Sequence, residues 1–107
     1  MKYKKYKNIR TKIDNITFDS KKEAGRYLVL RDMEKHGIIS HLECQPKIPL
    51  IVNDKSIGNY IGDFRYQIDG KVVLEDVKSK ITKTPVYNLK KKILLTYTPP
   101  IVITEIM

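Results

Sequence analysis

Gly62-Asp63-Phe64-Arg65-Tyr66-Gln67-Ile68-Asp69-Gly70-Lys71-Val72-Val73-Leu74-Glu75-Asp76-Val77-Lys78 reads as two strand-like runs folded about a turn pair. Asp-Gly between alternating segments is a strong hairpin signal, because a two-residue type I′ loop needs φ > 0 at both central positions. With Asp69 and Gly70 as the loop, Ile68 faces Lys71. Counting outward from there puts Asp63 directly opposite Asp76, with Cβ atoms roughly 4.5–5.5 Å apart. Alternation places Lys78 on the face of Asp76 and sends Phe64, Tyr66, Ile68, Val73 and Val77 to the other face as a core surface. Glu75 falls on that second face and is expected to be a structural or ion-pairing residue.

Two like charges facing each other destabilise a sheet. Carboxylates this close are well placed to chelate a hard cation such as Mg²⁺, which accepts one or two carboxylates and keeps several waters. Such an ion would offset the repulsion, acidify a bound water and stabilise charge on a phosphate. Lys78 beside them could orient or deprotonate that water, or neutralise phosphate charge. The residues alone equally allow a plainer arrangement, with both aspartates exposed and Lys78 paired to Asp76.

Around this hairpin the chain reads as an α/β fold. Residues 1–12 are basic and unpatterned, and are expected to form a flexible arm. Ile13 to Phe18 could be a short strand, with Asn15 near a turn. Ser20-Lys21-Lys22-Glu23 is a capping-box sequence that opens a helix over about 20–36, with Ala24, Tyr27, Leu28, Leu30 and Met33 inward and Gly37 as the stop. Ile48 to Val52 reads as a strand ending at an Asn53-Asp54-Lys55 turn, and Asn59 to Ile68 as one continuous strand. A second helix is expected over Tyr87 to Tyr97, with Leu89, Ile93, Leu94 and Tyr97 inward. Ile101 to Ile106 reads as a final strand. The expected architecture is a single domain over 1–107, a mixed sheet flanked by helices in the order α-β-β-β-α-β.

Twenty-one Lys and Arg against twelve Asp and Glu give a net charge of +9 in 107 residues. A surplus of this size points to a polyanionic partner, DNA above all. Lys2, Lys4, Lys5, Lys7, Arg10 and Lys12 precede the first acid, Asp14. Lys78, Lys80, Lys83, Lys90, Lys91 and Lys92 lie between Asp76 and Glu105 without an acid among them. Phosphate contacts are therefore expected from Lys4, Lys5, Lys7, Lys80, Lys83 and Lys90 to Lys92, on either side of an acidic centre. No apolar run is long enough to span a membrane. The basic opening lacks a secretory apolar run, and Cys44 has no partner for a disulfide, which points to a reducing cytoplasm.

Gly62-Asp63, a strand and turn, then Asp76-Val77-Lys78 resembles the bipartite motif of the PD-(D/E)xK nuclease superfamily, the restriction-endonuclease-like fold. Gly62 stands where that motif names proline. The blocks Phe18 to Ala24, Leu42-Glu43-Cys44-Gln45-Pro46, Ile61 to Tyr66 and Glu75 to Ser79 look like those of a family of small phage-encoded nucleases. The block order is also similar to the catalytic domain of the TnsA-type transposition endonuclease and to phage Holliday-junction resolvases. The resemblance implies a Mg²⁺-dependent DNA endonuclease, with Mn²⁺ able to substitute, acting in the cytoplasm of a bacterial host. It implies Asp63, Asp76 and the Val77 carbonyl as metal ligands, Lys78 as the residue acting on water, and Glu23 completing the site. Glu23 is equally explained by its capping-box position. Gln45 is a further candidate, with a buried hydrogen-bonded glutamine as the alternative. Resolvase-like relatives imply a homodimer and branched DNA as substrate. The rivals are a non-catalytic basic DNA-binding module and a partner-dependent subunit of a phage or transposition complex. His36 and His41 are expected at the surface or a helix end.

Overall fold

The computed structural model describes residues 9–78 and 84–107. Three hairpins dominate it, and each turns on two residues. β1 (Thr11–Ile13) and β2 (Ile16–Phe18) are joined by Asp14-Asn15, and α1 (Lys21–Lys35) and β3 (Ser40–Cys44) follow. β4 (Lys47–Val52) and β5 (Lys55–Ile61) are joined by Asn53-Asp54, and β6 (Phe64–Ile68) and β7 (Lys71–Val77) by Asp69-Gly70. All six turn residues have φ between 50° and 74°. Asn, Asp and Gly are the residues that tolerate this left-handed region, so local chemistry fixes where all three hairpins turn, and the β4–β5 register then shifts between Leu50 and Ile51. α2 (Pro85–Leu95) and β8 (Ile103–Ile106) complete the chain.

The central sheet has the order β3-β6-β7-β8. β6 pairs antiparallel with both β3 and β7, whereas β8 runs parallel to β7 after the α2 crossover. The sheet is therefore mixed, and each face is covered. On one face α1 buries Ala24, Tyr27 and Leu30 against Phe18, Phe64 and Tyr66, with Val73 and Val77 packed alongside. On the other face Tyr87 and Leu94 of α2 meet Leu74, Ile103 and the inner residues Ile48, Leu50 and Tyr60 of the β4–β5 ribbon. Tyr97 ties that ribbon down, since its hydroxyl donates to the Pro49 carbonyl and accepts from the Ile51 N–H.

Several expectations need correction. Thr11 and Lys12 belong to β1, because the Asp14-Asn15 turn folds them onto β2, so the expected arm cannot run to residue 12. The run Asn59–Ile68 is two strands broken at Gly62-Asp63. Sequence pattern does not single out β3, whose five residues include no β-branched one. Leu28 and Leu89 are 40% and 59% exposed rather than inward, because each lies off the buried stripe of its helix. The helix starts follow their caps: Ser20 accepts from the Glu23 N–H, and Thr84 accepts from the Tyr87 N–H with Pro85 behind it.

Candidate active site

The break between β5 and β6 shapes the site. The Gly62 N–H donates to the Pro46 carbonyl at 3.0 Å, and a Cβ at this position would lie 2.8 Å from Leu74 Cδ1. A proline would lose the hydrogen bond and collide with a buried leucine. Glycine therefore stands where the resembling motif names proline for a local packing reason. It lets the chain pass from the ribbon into the central sheet.

Asp63 follows directly. The register inferred from the Asp69-Gly70 turn holds along the whole hairpin, from Ile68 opposite Lys71 to Phe64 opposite Glu75. Asp63 itself steps off the ladder. Its N–H donates to the Glu75 carbonyl at 3.0 Å, and its Oδ2 accepts from the Val77 N–H at 2.6 Å. Its carboxyl nevertheless lies close enough to Asp76 for each to bear on the other's charge. Burial pushes the Asp63 carboxyl well above the usual carboxylate range. The Val77 N–H opposes that rise, while the neighbouring Asp76 carboxyl and the charge of Glu23 reinforce it.

Asp76 is 7% exposed, Lys78 is 8% exposed and Asp63 is half-buried, so the plainer arrangement fails in its exposed aspartates while its Lys78–Asp76 pair is present. Lys78 Nζ lies 3.4 Å from Asp76 Oδ2, and the Tyr60 hydroxyl donates to that same oxygen. Lys78 Nζ also sits 3.6 Å from the centroid of the Tyr87 ring. The backbone of Lys78 is pinned at both ends: its N–H donates to the Ile106 carbonyl, and its own carbonyl accepts from Lys22 Nζ at 2.7 Å. Tyr60 and Tyr87 are site residues that sequence reasoning misses. Neither has a spacing signal, because Tyr60 comes from the ribbon and Tyr87 from the first turn of α2.

Glu23 takes its expected place in the helix cap, and it shares a groove with Asp63. Its N–H bonds Ser20 as the cap requires, and its carboxylate accepts a backbone bond from Asp19. Its carboxyl is raised above the ordinary glutamate value first by burial and then by the charge of Asp19, with Asp76 adding to the rise and Lys78 opposing it. A groove of about 980 Å³ is lined by Glu23, Gln45 and Asp63, together with Arg10 and Arg31. A smaller cleft of about 350 Å³ is lined by Asp76, Lys78, Thr84, Tyr87 and Lys90. The neighbouring carboxyls of Asp63 and Asp76 thus join two concavities.

A family model described as "Protein of unknown function (DUF1064)" matches residues 3–104. The chain belongs to the DUF1064 family. No curated protein and no solved structure matches it. In this DUF1064 protein the matched stretch takes in Glu23, Asp63, Asp76, Lys78, Tyr60 and Tyr87.

The other candidates divide. Gln45 is exposed rather than buried, and it lines the groove shared with Glu23 and Asp63. Its side chain donates to the Thr17 carbonyl, while its backbone N–H donates to the Asp63 carbonyl at 2.9 Å and so helps to place Asp63. Glu75 is fully buried on the α1 face, where Arg26 donates to both its oxygens at 2.8 and 2.6 Å and Tyr66 donates a third bond. It is the structural pairing residue that alternation implies. Cys44 is half-buried and its thiol is raised by burial, as suits a packing residue. His36 caps the end of α1, and His41 is exposed.

Of the basic residues, Lys90 donates to the Asn59 carbonyl at 3.0 Å and Lys91 bonds Glu105 at 3.3 Å, so two of the three α2 lysines are tied to the protein. Lys92 is exposed. Lys4, Lys5, Lys7, Lys80 and Lys83 lie outside the described residues.

Among the described residues, no three His, Cys, Asp or Glu side chains form a group able to hold a metal ion by themselves. What the site offers is two neighbouring carboxyls, one of them biased toward its protonated form by burial and by the other. That donor set of hard oxygens fits an ion that takes two carboxylates and completes its shell with water.

Proposed function

We propose that this DUF1064 protein is a Mg²⁺-dependent DNA endonuclease of the PD-(D/E)xK type, with Asp63, Asp76 and Lys78 at its centre. The observation that carries the reading is the half-buried Asp63 carboxyl beside the buried Asp76, with Lys78 Nζ 3.4 Å from Asp76. Two acids and a lysine gathered at 10% side-chain exposure or less for Asp76 and Lys78 form an expensive cluster to build for stability alone.

Asp63 and Asp76 would hold Mg²⁺, or Mn²⁺ in its place, with the Val77 carbonyl and Glu23 as further candidates. Bound there, the ion would supply Lewis acidity toward the scissile phosphate and make a water more acidic. The protein's own contribution is positional. The Val77 N–H fixes one oxygen of Asp63, and Tyr60 fixes one oxygen of Asp76. Lys78 holds a positive charge beside the carboxyls, where it can orient the attacking water or stabilise charge on a phosphate oxygen. Hydrolysis forms a bond from the water oxygen to phosphorus while the bond to the leaving sugar oxygen breaks, and that oxygen is protonated.

The +9 net charge supports a nucleic-acid substrate held through its backbone. Among the described residues no helix is long and apolar enough to cross a membrane. We further propose a homodimer, with branched DNA preferred and a cytoplasmic setting, because one site cuts one strand and a single domain offers one site. The test is a cleavage panel of linear, flapped and four-way DNA with Mg²⁺, Mn²⁺ or EDTA. Metal-dependent cutting that is strongest on the four-way form supports the whole reading. Binding without cutting under every metal would favour the non-catalytic DNA-binding module instead.

A further inference from the structure

Lys78 is a buried ammonium with an unusual set of neighbours. Its side chain is 9% exposed. Its one ion-pair partner among the described residues, Asp76, lies at 3.4 Å, and the oxygen it approaches also accepts from Tyr60. The remaining side of the ammonium meets the Tyr87 ring face, 3.6 Å from the centroid. A ring face attracts a cation through its quadrupole, and the attraction grows when the cation is desolvated. Unlike a second carboxylate, a ring neither neutralises the charge nor accepts a strong N–H bond. It can therefore hold the ammonium in place while leaving its donors for a water or a phosphate.

Tyr87 is itself held from two directions. Its N–H is bonded to the Thr84 cap, and its hydroxyl donates to Glu105 Oε2 at 2.7 Å. Glu105 is in turn bonded by Lys91 at 3.3 Å. The Tyr60 ring lies 6.4 Å away at 43°, closing the apolar side. The first turn of α2 and the end of β8 together fix the plane on which Lys78 rests.

We infer that Tyr87 is a positioning residue for Lys78: its ring face, rather than its hydroxyl, holds the ammonium beside Asp76 in a form still able to donate. This rests on the nuclease reading for its kinetic consequence, and on geometry alone for its spectroscopic one. Two variants separate ring from hydroxyl. Tyr87→Phe keeps the face and loses the Glu105 bond, whereas Tyr87→Leu loses the face and keeps an apolar filler.

The experiment pairs NMR of ¹³C-lysine-labelled protein with single-turnover cleavage, both on the full chain and after circular dichroism confirms that each variant folds. Ring current should shift the Lys78 Hε resonances upfield in wild type and Tyr87→Phe, and Tyr87→Leu should return them to the ordinary lysine position. The cleavage rate constant should fall about tenfold in Tyr87→Leu with DNA affinity unchanged, and by less than about threefold in Tyr87→Phe. In a Lys78→Ala background Tyr87→Leu should add little further loss. Unshifted Lys78 resonances in wild type would overturn the inference whatever the activity. Equal rate losses in the Phe and Leu variants would overturn it too, by assigning the role to the hydroxyl. Should wild type show the shift but cut no DNA, the nuclease reading fails while the ring contact stands. If Tyr87→Leu does not fold, the Tyr87→Phe resonances and rate still decide between ring and hydroxyl.

Discussion

Removing the Arg26 guanidinium should be among the most damaging single changes outside the Asp63, Asp76 and Lys78 cluster. Glu75 is fully buried, and Arg26 donates two hydrogen bonds to its carboxylate where Tyr66 donates one. Arg26→Met keeps the apolar stem and leaves the carboxylate with the Tyr66 bond. Breaking a buried pair from one side costs about 3–5 kcal/mol, because the surviving charge has lost its water and its partner. In a domain of about 100 residues, each kcal/mol moves Tm by roughly 4–8 °C, so the loss should be well over about 10 °C. Replacing both partners, Arg26→Met with Glu75→Met, should recover most of that loss, since no buried charge remains. The assay is urea unfolding followed by circular dichroism on the two single variants and the double, read as a coupling energy. A cost below about 1 kcal/mol for Arg26→Met would refute the reasoning, and would mean that water reaches Glu75 in solution. The clamp also serves the site, because Glu75 and Asp76 are adjacent on β7. A one-residue slip would exchange their faces, and the Arg26 clamp locks the alternation that turns Asp76 toward Asp63.

Three further outcomes are expected. Gly62→Ala should destabilise by about 1–3 kcal/mol in urea unfolding, since Leu74 must shift inside a packed cluster, and Gly62→Pro should cost more because the bond to Pro46 is removed as well. Asp14 is held below the ordinary aspartate range, chiefly by its bond from Arg31 and then by that from Tyr27. A depressed folded value contributes stability above the unfolded value near 4, and loses it as pH falls through the folded one. Asp14→Asn, which keeps a turn-compatible residue, should thus be less stable than wild type near neutral pH, and the difference should shrink in thermal melts as pH falls below the ordinary aspartate range. Finally, Ala at Lys4, Lys5 and Lys7 should flatten the salt dependence of DNA affinity by about 0.9 in log–log slope for each phosphate that is no longer neutralised. An unchanged slope in fluorescence anisotropy would show that these lysines do not touch DNA.

The parts of this fold that are legible in the sequence are those written in local chemistry. The Asp69-Gly70 turn gives the β6–β7 register directly, and Ser20 with Glu23 places the start of α1. Phe64, Tyr66 and Val73 turn to the α1 core as alternation requires. What local chemistry does not reveal is packing made across long separations. The split at Gly62 depends on Leu74 and Pro46 crowding the backbone, which no neighbouring residue signals. The exposure of Leu28 and Leu89 depends on which stripe of each helix meets the sheet, and apolar spacing alone is compatible with several. Tyr60 and Tyr87 reach Asp76 and Lys78 from separate elements, so their place in the site exists only after folding. β3 is hidden because its inward residues are only Leu42 and Cys44, too short an alternation without β-branched residues to stand out.

The active centre is tested most directly by nicking of supercoiled plasmid in Mg²⁺ by wild type and by Asp76→Asn, with binding of the same DNA measured alongside. Asp76→Asn removes one negative charge and little volume from the Asp63–Asp76 pair. Wild type should convert supercoiled plasmid to the nicked form in Mg²⁺ and not in EDTA. Asp76→Asn should bind DNA as tightly or more tightly and cut at least about a hundredfold more slowly, the scale expected when a group acting at the reacting phosphate is removed. Equal cutting by the two proteins, or cutting by wild type that survives EDTA, would contradict an active centre built on Asp63, Asp76 and Lys78.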